Sequence, residues 1–325
     1  MGSCNPSLAP MESRLKLSKQ SDTALVNATE YRNIIGALRY LLHTRPDLAF
    51  SVGYLSRFMA EPHEDHLVAV KRVLRYVAGT LDHGLFYSKL DGEQLRLVGY
   101  SDADHAGDID TRKSTSGSIF FLAGNPITWQ SSKQKVVALS SCEAEYIAAA
   151  TAACQAVWLA RLLTDMVGKK IEAPEVMVDN QSAIALSKNP VFHDRSKYID
   201  VCYHFIRECV EMGKITVSYT ATEQQLADVL TKALGRVRFQ ELRDKIGAKS
   251  TGLTVTNRGC CGVGRNNGQV TCLPFQTPCA NRNEYLFWDA FHPTEAANIL
   301  VGRRAYSAAL PSDVHPVDLR TLAQL

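Results

Sequence analysis

At 325 residues, 46% of them hydrophobic, the chain is long enough for two domains with packed cores. Its 36 Lys and Arg stand against 33 Asp and Glu, a formal charge of +3 that excludes a global field as the means of gripping a polyanion. Contact with nucleic acid would have to come from local basic patches. No window approaches the roughly 18 apolar residues of a membrane span, so no membrane partner is expected. The start, MGSCNPSLAPMESRLKLSK, lacks the apolar core of a signal peptide, and Pro6 stands where a myristoylation signal wants Ser or Thr. The expectation is a cytoplasmic or nuclear chain.

Residues 1–29 are polar with scattered Pro and Ser and read as a linker. Residues 30–90 are predicted helical. Ile34, Ile35, Leu38, Leu41 and Leu42 form one apolar stripe, and Leu67, Val70, Val73, Leu74 and Val77 form another between Pro62 and Gly79. His63 and His66 lie three apart without the HExxH spacing, and are expected on the surface of a first turn. LRLVGYSDAD, SGSIFFLAG and ITWQS then read as a meander of antiparallel strands. An Ala-rich helix from about Ser141 to Val167 follows, then the strand EVMVDN, a helix over 197–212 and the strand KITVSY. A helix over TEQQLADVLTKAL closes the series, with Thr222 and Gln225 at capping-box spacing. The pattern predicts an α/β fold with a mixed five-stranded sheet flanked by helices.

Residues 236–254 read as a junction. Beyond Gly247 the chain becomes rich in Gly, Asn and Cys, with one clear helix at roughly 294–308. Cys142, Cys154, Cys202 and Cys209 fall in helical patterns and are expected as small core residues, while Cys4 stands alone near the start. Cys260, Cys261, Cys272 and Cys279 crowd together as in disulfide-bonded secreted proteins, which conflicts with the missing signal peptide.

Four carboxylates stand out. Asp102 ends the first meander strand on the parity of Val98 and Tyr100. Glu145 opens the long helix on a face continued by Ala149, Ala152 and Ala156. Asp179 terminates EVMV, and Asp228 lies beside Leu226, Val229, Leu230 and Ala233. Each alone reads as a surface residue or cap. Together, four acids bordering buried faces call for paired charges or bound cations.

These elements resemble the RNase H domain of copia-type retrotransposon polyproteins. The matching stretches are GYSDADHAGDIDTRKSTSGSIFFLAGNPITWQSSKQ, VALSSCEAEYIAA, VDNQSAIALSKNPVFHDRSKYIDVCYHFIRE and QQLADVLTKAL, spanning 95–235. The resemblance implies an RNase H-like fold with Asp102, Glu145, Asp179 and Asp228 as catalytic and metal-binding acids, Glu143 being the near alternative to Glu145. It further implies two Mg²⁺ ions and, as substrate, the RNA strand of an RNA–DNA hybrid. Arg112, Lys113, Arg195, Lys197 and Arg207 are candidate phosphate contacts, with a solvated surface the equal alternative for each. The chain departs from the family's common residues at His105, where Trp is frequent, and at Tyr198, where His is.

Residues 30–90 look like the end of the same polyprotein's reverse transcriptase, whose other parts are candidate partners. The paired-aspartate strand motif of a polymerase is absent from the chain, so no polymerisation is predicted. Residues 255–325 instead resemble the C-terminal end of plant GDSL esterase/lipases through GCCGVGRNNGQVTCLPFQTPCANRNEYLFWDAFHPTEAAN. That resemblance lands a vestigial esterase pair on Asp289 and His292, in an incomplete SGNH/GDSL hydrolase fragment without its serine block. The leading expectation is a Mg-dependent ribonuclease H in a truncated chimeric polyprotein. The alternatives are an esterase acting through the C-terminal block, and an inactive transposon remnant.

Overall fold

The β-branched and aromatic runs pair into one five-stranded sheet in a computed structural model of the chain, which describes residues 5–81, 83–85, 87, 95–188, 204–250, 255–267, 269, 271–289 and 292. The chain divides into two compact units, residues 1–76 with 93–248, and residues 77–92 with 249–325. The first unit carries helices α1 (Ala28–Leu41), α2 (Ala49–Leu55) and most of α3 (Glu64–Ala78). Strands β1 (Leu97–Ala103), β2 (Thr115–Leu122) and β3 (Asn125–Lys133) follow, then α4 (Ser141–Val167), β4 (Glu175–Val178) and α5 (Gln181–Lys188). Helix α6 (Phe205–Glu211), β5 (Thr216–Tyr219) and α7 (Arg236–Lys245) complete it.

The sheet order is β3-β2-β1-β4-β5. The first three strands form the antiparallel meander, and β4 and β5 run parallel to β1. Between Leu122 and Asn125 the chain turns on Ala123 and Gly124, with φ of 48° and 78°, the left-handed pair that suits a two-residue hairpin. Helix α4 runs over the range read from the sequence. Ser140 caps it by accepting from the Glu143 N–H at 3.1 Å, and Gly168, at φ 71°, ends it. Its buried alanines, Ala149, Ala152, Ala153 and Ala156, let it lie close on Leu97, Phe120, Val176, Val178 and Val217. By length and composition α4 would suffice to cross a membrane, which the sequence reading missed; half of its most apolar window is buried inside the protein.

Two glycines set the sheet's close approaches. A Cβ on Gly99 would lie 2.3 Å from the Phe120 ring, so only glycine admits that ring on the α4 face. On the opposite face, a Cβ on Gly117 would come within 2.7 Å of Thr231 Cγ2 and 2.8 Å of Leu230 Cβ. There the chain after β5 presses onto the sheet. The helix expected over TEQQLADVLTKAL is replaced by two 3₁₀ turns, Thr222–Gln224 and Leu226–Leu230. No capping box forms. Gln225, fully buried, caps the second turn by accepting from Ala227 N at 3.2 Å and donates Nε2 to Ser101 O at 2.9 Å. These bonds to β1 fix the tighter geometry that a long α-helix could not follow. The stretch read as a junction contains α7, which buries Phe239 and Leu242.

The N-terminal residues are not a free linker. Ala9, Met11 and Leu17 are buried, Leu17 N–H donates to Tyr54 Oη at 2.9 Å, and Arg14 N–H donates to Ala233 O at 3.2 Å. The N-terminal helices join the same unit: Trp129 Nε1 of β3 donates to Leu42 O at 2.8 Å. Asp47, buried, pairs with Arg45 at 2.8 Å and accepts from Tyr76 Oη at 2.7 Å, while the Tyr76 ring meets Phe239 of α7 edge-on. His66 is buried rather than exposed. It stacks on Phe58 at 4.0 Å, its Nδ1 accepts from His63 N–H at 3.0 Å, and its Nε2 lies 2.9 Å from Ser18 O. Cys154 is exposed, not a core residue, whereas Cys209 is buried and Cys142 half-buried. Cys4, Cys202, Tyr198, the first part of the helix expected over 197–212, and the one expected at 294–308 lie outside the described residues.

In the second unit, β6 (Val255–Gly259) and β7 (Tyr285–Phe287) pair in parallel. The crowded cysteines join as Cys260–Cys279 and Cys261–Cys272. The sequence alone left that pairing open.

Replacing Gly117 by Val should force Leu230 and Thr231 off the sheet, at a cost of about 1–3 kcal/mol for overpacking. A urea midpoint equal to that of the unsubstituted chain would show that the close approach carries no stability.

Candidate metal centre

Each acid singled out in the sequence reaches the site from a different element. Asp102 stands near the end of β1, opposite Gly117 in the register, and is fully buried. Glu145 stands in the first turns of α4, 6% exposed. Asp179 follows β4 directly, where Asn180 turns the chain by capping α5, its Oδ1 accepting from Ala183 N at 3.0 Å. Asp102, Glu145 and Asp179 converge: each offers a carboxylate oxygen within 4.8 Å of the others. Glu143, the alternative in EAEY, faces away. Its carboxylate accepts from Leu139 N at 2.8 Å and completes the N-terminal cap of α4.

Asp228 is buried beside this group but satisfied differently. Lys232 Nζ lies 2.7 Å from Asp228 Oδ1 and 3.1 Å from Asp102 Oδ1, bridging the two acids. Arg238 approaches Asp228 Oδ2 at 3.5 Å. Thr231 Oγ1 donates to Asp102 Oδ2. The four acids therefore resolve into a converging three and a fourth held by cations. Lys232 and Thr231 were missed in the sequence. The signal was present, since Lys232 follows Asp228 by four residues.

Burial dominates the electrostatics. It pushes the Glu145 carboxyl up to about 10, with Asp102 and Asp179 adding to the rise. Asp179 is also raised by burial, against the opposing pull of Lys232. Asp228 is raised by burial and then by Asp102, despite Lys232 and Arg238. Burial works against the Lys232 ammonium, but Asp102 and Asp228 outweigh it and hold the charge on. A neighbouring acid the sequence reading passed over, Asp104, is raised by burial to about 6. It accepts from Thr115 N and braces the loop after β1 instead of joining the cluster.

These residues fit a divalent cation. Glu145 Oε2 is buried with no hydrogen-bond partner, an acceptor that burial makes costly to leave unmatched. It belongs to an all-oxygen donor set, which suits a hard ion such as Mg²⁺. A cation held by the three carboxylates would offset both the burial and the neighbouring charges that raise Glu145.

The described basic residues expected to flank the acids each have partners of their own. Lys113 Nζ donates to Lys135 O at 2.6 Å. Arg112 stands in the β1–β2 loop with φ of 56°, its N–H donating to Asp108 O at 2.8 Å. Arg207 is drawn into packing: its Nε donates to Leu186 O at 2.8 Å and its guanidinium lies 5.9 Å from the Tyr146 ring centre. Arg195 and Lys197 lie outside the described residues. His105 is an exposed loop residue.

In the second unit, Asp289 and His292 form a local pair. His292 Nδ1 lies 2.8 Å from Asp289 Oδ1, and Cys272 N–H donates to Asp289 Oδ2 at 3.0 Å. The pair is thus held within the second unit, by residues three apart and by the backbone of Cys272.

No protein-family model matches the chain. Over 247 residues, 76% of its length, it is 47% identical to the Retrovirus-related Pol polyprotein from transposon RE1 of Arabidopsis thaliana, and it spans 17% of that protein. Its C-terminal part is 68% identical over 74 residues to GDSL esterase/lipase At5g45670 of Arabidopsis thaliana, spanning 20% of that protein. Among solved structures, the N-terminal RNase H domain of rv2228c from Mycobacterium tuberculosis, a fusion with maltose binding protein, matches 46% of this chain and 98% of its own at 12% identity, with a TM-score of 0.29.

Because Glu145 ionises near 4.5 when unfolded and near 10 when folded, the unfolded chain gives up its proton first as pH rises. Without metal, stability should therefore fall progressively from about pH 5 towards 10. Glu145→Gln should flatten this slope and raise Tm by roughly 3–8 °C at pH 8 in EDTA. The same variant should lose the stabilisation that Mg²⁺ gives the unsubstituted chain. A variant whose melting follows pH and Mg²⁺ as before would rule Glu145 out of the cluster.

Proposed function

We propose that the first unit of this chain, which is similar over 76% of the chain's length to a retrotransposon Pol polyprotein, is a metal-dependent ribonuclease H acting on the RNA strand of RNA–DNA hybrids. The observation that carries the proposal is the convergence of Asp102, Glu145 and Asp179, together with a buried, unmatched oxygen on Glu145. Asp228 is the fourth acid of the proposed site. The chain spans less than a fifth of the polyprotein it matches, so the activity proposed is that of the part present.

Two divalent ions bound at such a site supply activation of a water and stabilisation of the leaving 3′-oxygen. The chain's own residues prepare that chemistry. Thr231 fixes the Asp102 carboxylate by a hydrogen bond to Oδ2. Thr222 Oγ1 steadies Asp179 at 3.3 Å. Ala103 of β1 hydrogen-bonds Glu145 through its backbone, tying the α4 acid to the strand that bears Asp102. Preorganisation of this kind spares the carboxylates from rearranging when charge develops. Arg112 and Lys113, on the loop between β1 and β2, are the described candidates for phosphate contact. Selection of RNA would come through 2′-hydroxyls in the wide minor groove of the hybrid.

Ester hydrolysis is not proposed for the second unit. The Asp289–His292 pair can hold and orient an imidazole, but a nucleophile is needed beside it. The serine block that precedes such a pair in GDSL enzymes is not recognisable in this sequence.

With Mg²⁺, the full chain should cut the RNA strand of an end-labelled hybrid and leave duplex DNA whole. Asp179→Asn should reduce cutting at least about a hundredfold, as loss of a catalytic carboxylate does. A hybrid left intact by the unsubstituted chain would sink the proposal. A chromogenic short-chain ester should remain unhydrolysed; turnover that vanishes in His292→Ala would reverse the reading of the second unit.

A further inference from the structure

We propose that Lys232 is a built-in cation occupying the place of the second divalent ion, so that the resting site binds one ion tightly and admits another only when Lys232 withdraws. The inference rests on the ribonuclease reading for the identity of the ions. Its geometry is independent of the substrate. Lys232 Nζ sits between Asp102 Oδ1 and Asp228 Oδ1 at 3.1 and 2.7 Å. Asp102 and Asp228 are the acids that would hold a second ion beside the Asp102–Glu145–Asp179 group, and the ammonium now lies between them. The outer oxygen of Asp228 already faces Arg238 at 3.5 Å.

Charge is thus divided unevenly across the cluster. On the Asp102–Asp228 side, lysine and arginine offset the carboxylates. On the other side, Lys232 reaches Glu145 and Asp179 only as a longer-range charge, and Glu145 Oε2 has no partner. One side invites an ion and the other already holds one. A carboxylate offers about four lone-pair positions, so Asp102 can serve both sides at once.

The lysine is delivered by the fold, not by chance contact. It follows Asp228 by four residues on a segment pinned to β1 by Gln225 and pressed against Gly117. A tethered ammonium competes at an effective concentration on the order of millimolar or above, comparable to or exceeding free Mg²⁺. It also has a way out, for its side chain is 36% exposed. Lys232 is therefore a positioning residue whose withdrawal would couple entry of the second ion to another event at the site, such as arrival of a phosphate.

The test is titration of the metal-free full chain with MnCl₂, followed by calorimetry and by the electron-spin signal of free Mn²⁺. The unsubstituted chain should bind one Mn²⁺, with any second at least about tenfold weaker, since that ion must displace a tethered competitor. Lys232→Met should bind two ions of similar affinity, and Lys232→Arg should restore the gap. Lys232→Gln serves in place of the Met variant if circular dichroism shows that one unfolded. Two equal sites in the unsubstituted chain, no binding there, or an undiminished gap in the neutral variant would each overturn the proposal. Hybrid cutting is scored separately. A closed gap without cutting would leave the role of Lys232 standing and remove the ribonuclease reading.

Discussion

Like charges brought together where water is scarce are the constraint around which the first unit is arranged. Asp102, Glu145 and Asp228 are each buried, and Asp179 joins the first two within 4.8 Å. Isolated carboxylates in such surroundings would take up protons or pull the structure apart. The chain answers by two means. On one side it supplies Lys232 and Arg238, and on the other it leaves an acceptor of Glu145 unmatched. The second means makes the native state depend on something from solution, either a proton or a cation.

That arrangement requires close backbone contact. The segment bearing Asp228, Thr231 and Lys232 reaches Asp102 only because Gly117, its cross-strand partner, presents no side chain. Gln225 then locks the same segment onto β1. Helix α2 packs against β3 and the 226–230 turn, and α7 packs against that turn as well. The N-terminal helices therefore support the acidic end of the sheet. Residues resembling the end of a polymerase have a structural part to play even though no polymerase motif is present.

Much of this was legible in the sequence because it is periodic or local. Alternation along β1 to β3 marked the meander. Ala149, Ala152 and Ala156 at helical spacing marked the inner face of α4, and the acids stood at element ends. What was not legible depended on contacts far along the chain. Leu226–Leu230 has helical spacing, yet Gln225 and Gly117 impose a tighter turn. His66 looked like a surface residue because nothing nearby announces that Ser18 and Phe58 will enclose it. Lys113 and Arg207 each donate to a backbone carbonyl that no local pattern announces. Asp228 is the most instructive case. The motif marked it as an acid of the cluster, and only the three-dimensional arrangement shows it neutralised by a lysine one turn further along.

The disulfides divide the molecule in another respect. Cys260–Cys279 and Cys261–Cys272 close stretches of 19 and 11 residues in the second unit, while the described cysteines of α4 and α6 in the first form no such bridge. Each closure restricts the unfolded chain by roughly 3 kcal/mol. Bonds of this kind form and persist in oxidising surroundings and are rare in reducing ones. The covalent closure of the second unit is the feature that depends on redox surroundings. A single polypeptide thus joins a part stapled by two covalent bridges to one whose described cysteines are left out of such bridges.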